Sequence, residues 1–97
     1  MRIIAKRTLR LFWEKHPDSE AALRAWHAEV SKADWSNPAD IKVRFPSASF
    51  LVGNRVVFNI KGNHYRIVVR INFPYRVVYL RFVGTHAEYD SVDATTV

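Results

Sequence analysis

Residues 56–90 read VVFNIKGNHYRIVVRINFPYRVVYLRFVGTHAEYD, and the fold turns on how this stretch divides. Three runs rich in Val, Ile, Phe and Tyr are separated by the turn signals Gly62-Asn63 and Pro74-Tyr75, each read as a two-residue hairpin connection. Side chains alternate between the faces of a strand, so the two turns fix the cross-strand partners. Lys61 is then opposite His64, Asn59 opposite Arg66, Val57 opposite Val68, Arg70 opposite Tyr79, and Arg66 opposite Val83. One face carries Asn59, Lys61, His64, Arg66, Arg70, Tyr79 and Arg81. The other carries Val56, Phe58, Ile60, Tyr65, Ile67, Val69, Ile71, Phe73, Val78, Leu80 and Phe82. A slip of one residue would mix the two sets, so the clean partition supports the register.

The apolar face needs a cover, and the N-terminal half supplies one. Leu9, Phe12 and Trp13 recur at helical spacing within Lys6 to Lys15, and Pro17 ends that helix. Asp18 or Ser19 caps a second helix, in which Leu23, Trp26 and Val30 form the buried stripe through to about Asp34. Trp13 and Trp26 fall on those stripes and belong to the core, while Trp35 has no clear assignment. Ser36-Asn37-Pro38 opens a single helical turn to about Lys42, and Pro46 stops it. Ser47 to Val52 starts the sheet, with Gly53-Asn54 as a further two-residue turn into Arg55. Arg2 to Ala5 is a short β-like start without an assigned neighbour, and Asp93 to Val97 reads as a frayed tail. The expected architecture is α+β: an N-terminal strand and two helices on one face of an antiparallel β-meander, with a short C-terminal helix, in one domain over residues 1–97.

A chain of 97 residues is long enough for a core without disulfides or a structural metal, and it has no cysteine, which fits a reducing compartment. No signal-peptide-length apolar stretch opens the chain and none is long enough to span a bilayer, so a cytoplasmic protein without a membrane partner is expected. Net charge is +6, and from Ile41 to Ala87 there are eight Lys or Arg residues and no Asp or Glu. A field of one sign over the sheet region attracts polyanions, among which nucleic acid is the commonest.

Thr85-His86-Ala87-Glu88-Tyr89 closes the last strand, and Thr85 with Glu88 matches a capping box. His86 and Tyr89, three apart, share a face of the short helix this box opens, beside the strand end that carries Arg81. The assumed register places Arg66 diagonal to Arg81, so two guanidiniums, an imidazole and a phenol converge. Such a set suits cleavage of RNA by its own 2′-hydroxyl, which needs one proton removed, one delivered to the leaving 5′-oxygen, and positive charge against the phosphoryl group. Histidine transfers protons near neutral pH and arginine grips phosphate oxygens bidentately. His16 and His27 read as surface residues, and His64 reads equally as a turn residue. No cofactor is expected and no metal site, since His86 with Glu88 or Asp90 offers too few ligands. Glycine-rich phosphate loops and nucleophile elbows are absent from the sequence.

The segments Val57 to Arg66 and Tyr79 to Asp90, above all the ending FVGTHAEYD, resemble the signature stretches of HigB-type toxins, RelE-superfamily mRNA interferases of bacterial type II toxin–antitoxin systems. The resemblance spans the chain. It implies a RelE-like endoribonuclease that cleaves mRNA on the translating ribosome and is held inactive by a cognate helix-turn-helix antitoxin, with operator DNA bound only through the antitoxin complex. It further implies phosphate or transition-state contacts for Arg66 and Arg81, proton transfer for His86 and Tyr89, and RNA contacts for Lys61 and Asn63. Asn59, His64 and Arg70 join the RNA contacts because they share the basic face. The alternative, from a different class, is a non-catalytic nucleic-acid-binding module using the same face.

Overall fold

A computed structural model describes residues 1–97. The elements in order are β1 (Arg2–Ile4), α1 (Lys6–Lys15), a 3₁₀ turn (Pro17–Ser19), α2 (Glu20–Lys32), α3 (Pro38–Arg44), β2 (Ser49–Leu51), β3 (Arg55–Ile60), β4 (Tyr65–Asn72), β5 (Val77–Thr85) and α4 (His86–Asp90). The five strands form one sheet in the order β1-β5-β4-β3-β2. The class is α+β, as expected, but the sheet is mixed: β1 lies parallel to β5, with Arg2, Ile3 and Ile4 beside Val77, Val78 and Tyr79. That pairing joins residues far apart in the sequence, which local pattern does not encode.

Leu9 and Trp13 of α1 and Leu23, Trp26 and Val30 of α2 are buried in one cluster with Val56, Phe58, Ile60, Tyr65, Ile67, Val69, Ile71, Phe73 and Val78. Burying each large apolar side chain contributes about 1.5–3 kcal/mol, so this layer dominates the stability. Trp35, unassigned from sequence, joins the same cluster and packs its ring 6.1 Å from Phe45 and 6.4 Å from Phe58. Asn37 caps α3 by accepting the Asp40 N–H at 3.2 Å, with Pro38 at the first turn, and the helix runs to Arg44 rather than Lys42. Neither Asp18 nor Ser19 caps α2 with its side chain: the buried Ser19 hydroxyl turns back to donate to the His16 carbonyl at 2.7 Å, and Asp18 is used elsewhere.

The expected register holds through the first hairpin, where Asn59 faces Arg66 and Val57 faces Val68, and through the start of the second, where Arg70 faces Tyr79. The turns are wider than two residues. Pairing stops at Ile60 with Tyr65, leaving Lys61–His64 as the connection with Lys61 and Gly62 at φ of 53° and 65°, and again at Asn72 with Val77. Between β2 and β3 the loop is Val52-Gly53-Asn54, because Leu51 pairs with Arg55, and both Gly53 and Asn54 have positive φ.

Midway along β5 the expectation fails. Val69 pairs with Leu80 but Val68 pairs with Phe82, so Arg81 is an extra residue in a β-bulge and the register shifts by one. Arg66 therefore faces Gly84, not Val83, and Val83 turns to the helical layer. Phe82 leaves the helix-covered face and joins Val57, Val68, Leu51 and Tyr89 in a second, smaller apolar cluster on the opposite side. Its ring lies over Gly84, where an added Cβ would come within 2.5 Å of the Phe82 ring, so glycine there makes room for the aromatic.

That second cluster also corrects the expectation for the last residues. Asp93–Val97 is packed: Ala94 is buried against Val57 and Val68, Val97 adjoins them, and Asp93 accepts hydrogen bonds from the Thr95 N–H and hydroxyl at 2.9 and 2.6 Å. The segment lies across the face that sequence left open to solvent.

Candidate nucleic-acid interface and active site

Arg55, Arg66 and Arg70 alternate onto the sheet face opposite the helices, and the bulge presents Arg81 beside them. None of the four forms an ion pair with an Asp or Glu side chain. The other basic residues of this half behave differently. Lys61 pairs with Asp18 at 3.0 Å, Arg76 with Asp34 at 2.5 Å and Arg44 with Glu29, while Lys42 donates to the Ala48 carbonyl at 3.0 Å. The acids of the N-terminal half thus neutralise cations at the rim and leave the arginines of the open face without a close ion pair, Arg55 alone having an acid, Asp93, within its field. Electrostatic repulsion among those guanidiniums is tolerable in water and is relieved by a bound polyanion.

The expected site residues separate into three places. At the far end of β5, Arg66, His86 and Tyr89 gather around α4. The capping box is present: Thr85 Oγ1 accepts the Glu88 N–H at 3.1 Å and Glu88 Oε1 accepts the Thr85 N–H at 2.8 Å. That backbone hydrogen bond from Thr85 is the main cause holding the Glu88 carboxyl below its ordinary pKa. The His86 N–H donates to the His64 carbonyl at 3.0 Å, which ties the first residue of α4 to the β3–β4 hairpin. The Tyr89 ring is tilted against Phe82, 6.5 Å between centroids, and the Arg66 guanidinium lies 5.7 Å over its other approach. The bulge is what allows this stack, because it puts Phe82 under the tyrosine. His86 keeps its imidazole partly exposed, with Nδ1 3.1 Å from Asp90 Oδ2. A carboxylate at that distance orients the ring and leaves Nε2 for a proton transfer.

Arg81 belongs to a second place. With Arg66 opposite Gly84, about 10 Å of strand separates its level from Arg81 at ~3.3 Å per residue. Arg81 instead borders an open hollow of about 530 Å³ with Arg70, Tyr79, Asn54 and Asn72, and its Nε donates to the Val97 main-chain oxygen at 3.2 Å. The bulge thus takes Arg81 off the diagonal position expected for it, and the two guanidiniums bond different groups, Arg66 the Asn63 carbonyl and Arg81 the Val97 oxygen.

Lys61, Asn63 and His64 sit in the third place, the β3–β4 hairpin tip. Lys61 is drawn toward the helical layer by Asp18, which also accepts the Tyr65 hydroxyl at 2.6 Å. The Tyr65 hydrogen bond, then Lys61, hold the Asp18 carboxyl below its ordinary range, and Asp18 in turn raises the Tyr65 phenol. His64 Nδ1 lies 2.9 Å from the Lys61 carbonyl, and the Asn63 carbonyl is 3.4 Å from Arg66 Nη1. Asn59 faces Arg66 and also borders a shallow groove with Ala22, Ala25 and Phe45.

Sequence reasoning missed several residues here. His16, read as a surface side chain, is half-buried, stacks on Phe12 at 4.4 Å and meets Tyr65 edge-on at 5.8 Å. Asp18 was spent on a helix cap, and Tyr65 counted only as apolar. Arg55 had a signal: extending the alternation of Val57 and Asn59 one step back places it on the basic face. His27 is also half-buried, and burial, then Lys6, lower its pKa. No three His, Cys, Asp or Glu residues gather where they could hold a metal ion. A hollow of similar size, about 550 Å³, lies between α2 and α3, but its Glu29 is already paired with Arg44.

Comparison with known proteins adds an independent line. The sequence model of the HigB toxin family, described as the RelE-like toxic component of a toxin–antitoxin system, matches residues 19–92. The chain is 33% identical over 92 residues to the mRNA interferase toxin HigB of Escherichia coli strain K12, covering 93% of this chain and 88% of that protein. It is 29% identical over 94 residues to the mRNA interferase HigB of Escherichia coli O6:H1 strain CFT073, covering 95% and 91% respectively.

Proposed function

Since this chain belongs to the HigB toxin family of RelE-like toxins, we propose that it is an endoribonuclease that cleaves mRNA on the translating ribosome, the whole of residues 1–97 acting as one RelE-like toxin domain. The observation that carries the reading is the face of four arginines without Asp or Glu ion pairs, ending at a histidine and a tyrosine that α4 fixes in place. Both relatives named above are mRNA interferases by name, which supports the choice of RNA over another polyanion.

In this reading the RNA backbone runs along the arginine face toward α4. Arg66 contacts the scissile phosphate and stabilises the charge that grows on it. His86, oriented by Asp90, and Tyr89, under Arg66, are the proton-transfer residues; either suits protonating the 5′-oxygen or deprotonating the 2′-hydroxyl. Arg81 and Arg70 act one or two nucleotides away, as phosphate contacts outside the reacting group. Lys61, Asn63, His64 and Asn59 meet the RNA at the hairpin tip, Lys61 only after its exchange with Asp18. A cognate antitoxin with a helix-turn-helix domain neutralises the toxin in the cytoplasm and brings the complex to operator DNA. No helix is long and apolar enough to cross a membrane.

Primer extension on a message translated in a reconstituted system containing the purified chain should show new 5′ ends within the reading frame, suppressed by the product of the adjacent gene. Ribosome-bound and free RNA left equally intact would replace the enzyme with a non-catalytic binding module on the same face.

A further inference from the structure

The segment Asp93–Val97 occupies the middle of the arginine face, and its contacts are those an RNA strand would want. Arg55 Nη1 donates to the Val97 main-chain oxygen at 2.5 Å and Arg81 Nε donates to the same oxygen at 3.2 Å. Two guanidiniums from β3 and β5, on either side of β4, thus converge on one oxygen. Neither forms a close ion pair with an Asp or Glu side chain, though the field of Arg55 reaches the Asp93 carboxylate of the segment itself. The segment is kept there by Ala94 and Val97 on the small apolar patch of Val57, Val68 and Phe82, and by its own Asp93 turn.

We propose that Arg55 and Arg81 form a phosphate clamp for RNA, and that Asp93–Val97 is a strap whose Val97 oxygen fills the clamp until RNA displaces it. The inference rests on the RNA reading of this face and adds to it a contact residue, Arg55, and a competitor within the chain. Two arginines closing on one oxygen form the arrangement that grips a phosphodiester, and a phosphodiester offers each guanidinium a charged oxygen of its own where Val97 makes both share one. The strap's hold is modest. It buries one alanine and part of one valine, whereas the cluster between the sheet and the helices holds seventeen buried residues. A segment with few buried apolar contacts opens locally without unfolding the rest. Strap and RNA cannot share Arg55 and Arg81, so the strap lowers the apparent affinity by the fraction of molecules in which it is closed.

The test uses a fluorescent 2′-O-methyl oligonucleotide, which cannot be cleaved, and measures its affinity against salt by anisotropy. Four proteins are compared: the full chain, a chain ending at Val92, and each of these with Arg55→Gln, which keeps the stem and removes the charge. Removing the strap should tighten binding by about five- to tenfold. In the strapless chain Arg55→Gln should weaken binding and reduce the salt slope by about 0.7 for one lost single-strand phosphate contact. In the full chain the same substitution should do much less, because it frees the strap as it removes the clamp. Ala94→Glu, which sets a carboxylate against Val57 and Val68, should expel the strap and match the truncation at unchanged length. Equal affinities and slopes with and without the strap, accompanied only by a lower thermal midpoint, would make the segment a plug for the apolar patch and overturn the clamp. Cleavage on programmed ribosomes, run in parallel, keeps the two readings apart. Cleavage without any coupling between Arg55 and the strap sinks this inference alone, whereas no binding by any protein sinks it together with the nuclease reading.

Discussion

Between one face of the sheet and the helices seventeen buried residues form a single cluster; on the other face, Val57, Val68 and Ala94 make a patch of three. The first face has its cations at the rim neutralised by Asp18, Glu29 and Asp34, while the second leaves Arg55, Arg66, Arg70 and Arg81 without such partners. The difference divides labour within a single β-sheet. Stability is concentrated where water is excluded, so the other face can carry repelling charges and a removable segment at little cost to the fold.

The largest expected effect tests that division directly. Phe58→Ala removes a fully buried ring that meets Trp26 at 5.4 Å and Phe45 at 5.0 Å, and should cost about 3–5 kcal/mol. Val68→Ala, equally buried but on the patch side, should cost about 1–2 kcal/mol because the neighbouring segment can settle into the space. Urea titration with unchanged slopes checks both, and equal losses would break the comparison.

Next come the two side chains at the end of the open face. His86→Ala and Tyr89→Phe should each slow single-turnover cleavage on the order of a hundredfold, as loss of a proton carrier typically does, with ribosome binding and thermal midpoint close to the parent. Glu88→Gln is the control, since glutamine can still close the capping box and should keep most activity. Parent rates for both His86→Ala and Tyr89→Phe would leave the arginines as the whole site.

Arg66→Ala and Lys61→Ala sharpen the boundary between the faces. Arg66→Ala should reduce the salt slope of RNA binding by about 0.7 with little change in stability. Lys61→Ala should do the reverse in kind, with a small loss of stability through Asp18 and a weaker effect on the slope, because its ammonium is already engaged. A slope change from Lys61→Ala as large as from Arg66→Ala would show the Asp18 pair opening freely in solution.

The smallest effect is a pH dependence at the same boundary. The Asp18 carboxyl is depressed in the folded chain by the Tyr65 hydroxyl and Lys61. Unfolded chains bind the proton first as pH falls, so its contribution is present above the ordinary carboxylate range and is lost on acidification through the depressed folded value. Asp18→Asn should therefore lower the thermal midpoint at neutral pH and flatten its decline in acid. An acid branch parallel to that of the parent would remove Asp18 from the account.

How much of this was legible follows from the range of each interaction. Helical stripes and the first hairpin were readable because Leu9, Trp13, Leu23 and Trp26, or Val57 and Val68, are placed by local periodicity. The bulge was not, since Leu80-Arg81-Phe82 alternates as cleanly as an unbroken strand, and the single extra residue moved Phe82 to the other face and parted Arg66 from Arg81. The last segment carries no periodic signal in Ala94-Thr95-Thr96-Val97, and its order depends on a patch formed by residues some thirty positions earlier. For the site, the types His86, Tyr89 and Arg66 were legible from the motif and the capping box. The Asp90 carboxylate lies one helical turn from His86 and was within reach of the sequence, whereas Phe82 against Tyr89 and Asp18 against Lys61 and Tyr65 were not, because those partnerships needed the three-dimensional neighbour.

The parallel seam between β1 and β5 joins Arg2 to Val77, and therefore bears on when the molecule can assemble. Hairpin pairs such as Ile60 with Tyr65 close short loops, while the seam closes the chain from Arg2 to Val77 and carries a larger entropic cost. β1 leaves the ribosome first and must wait longest for its neighbour. Pulse-labelled amides of Ile3 and Ile4 should gain protection after those of Val57 and Ile67, and simultaneous protection would refute that order. A nascent copy remains unable to complete its own sheet until β5 has been made, so the act of synthesis itself delays closure of the sheet.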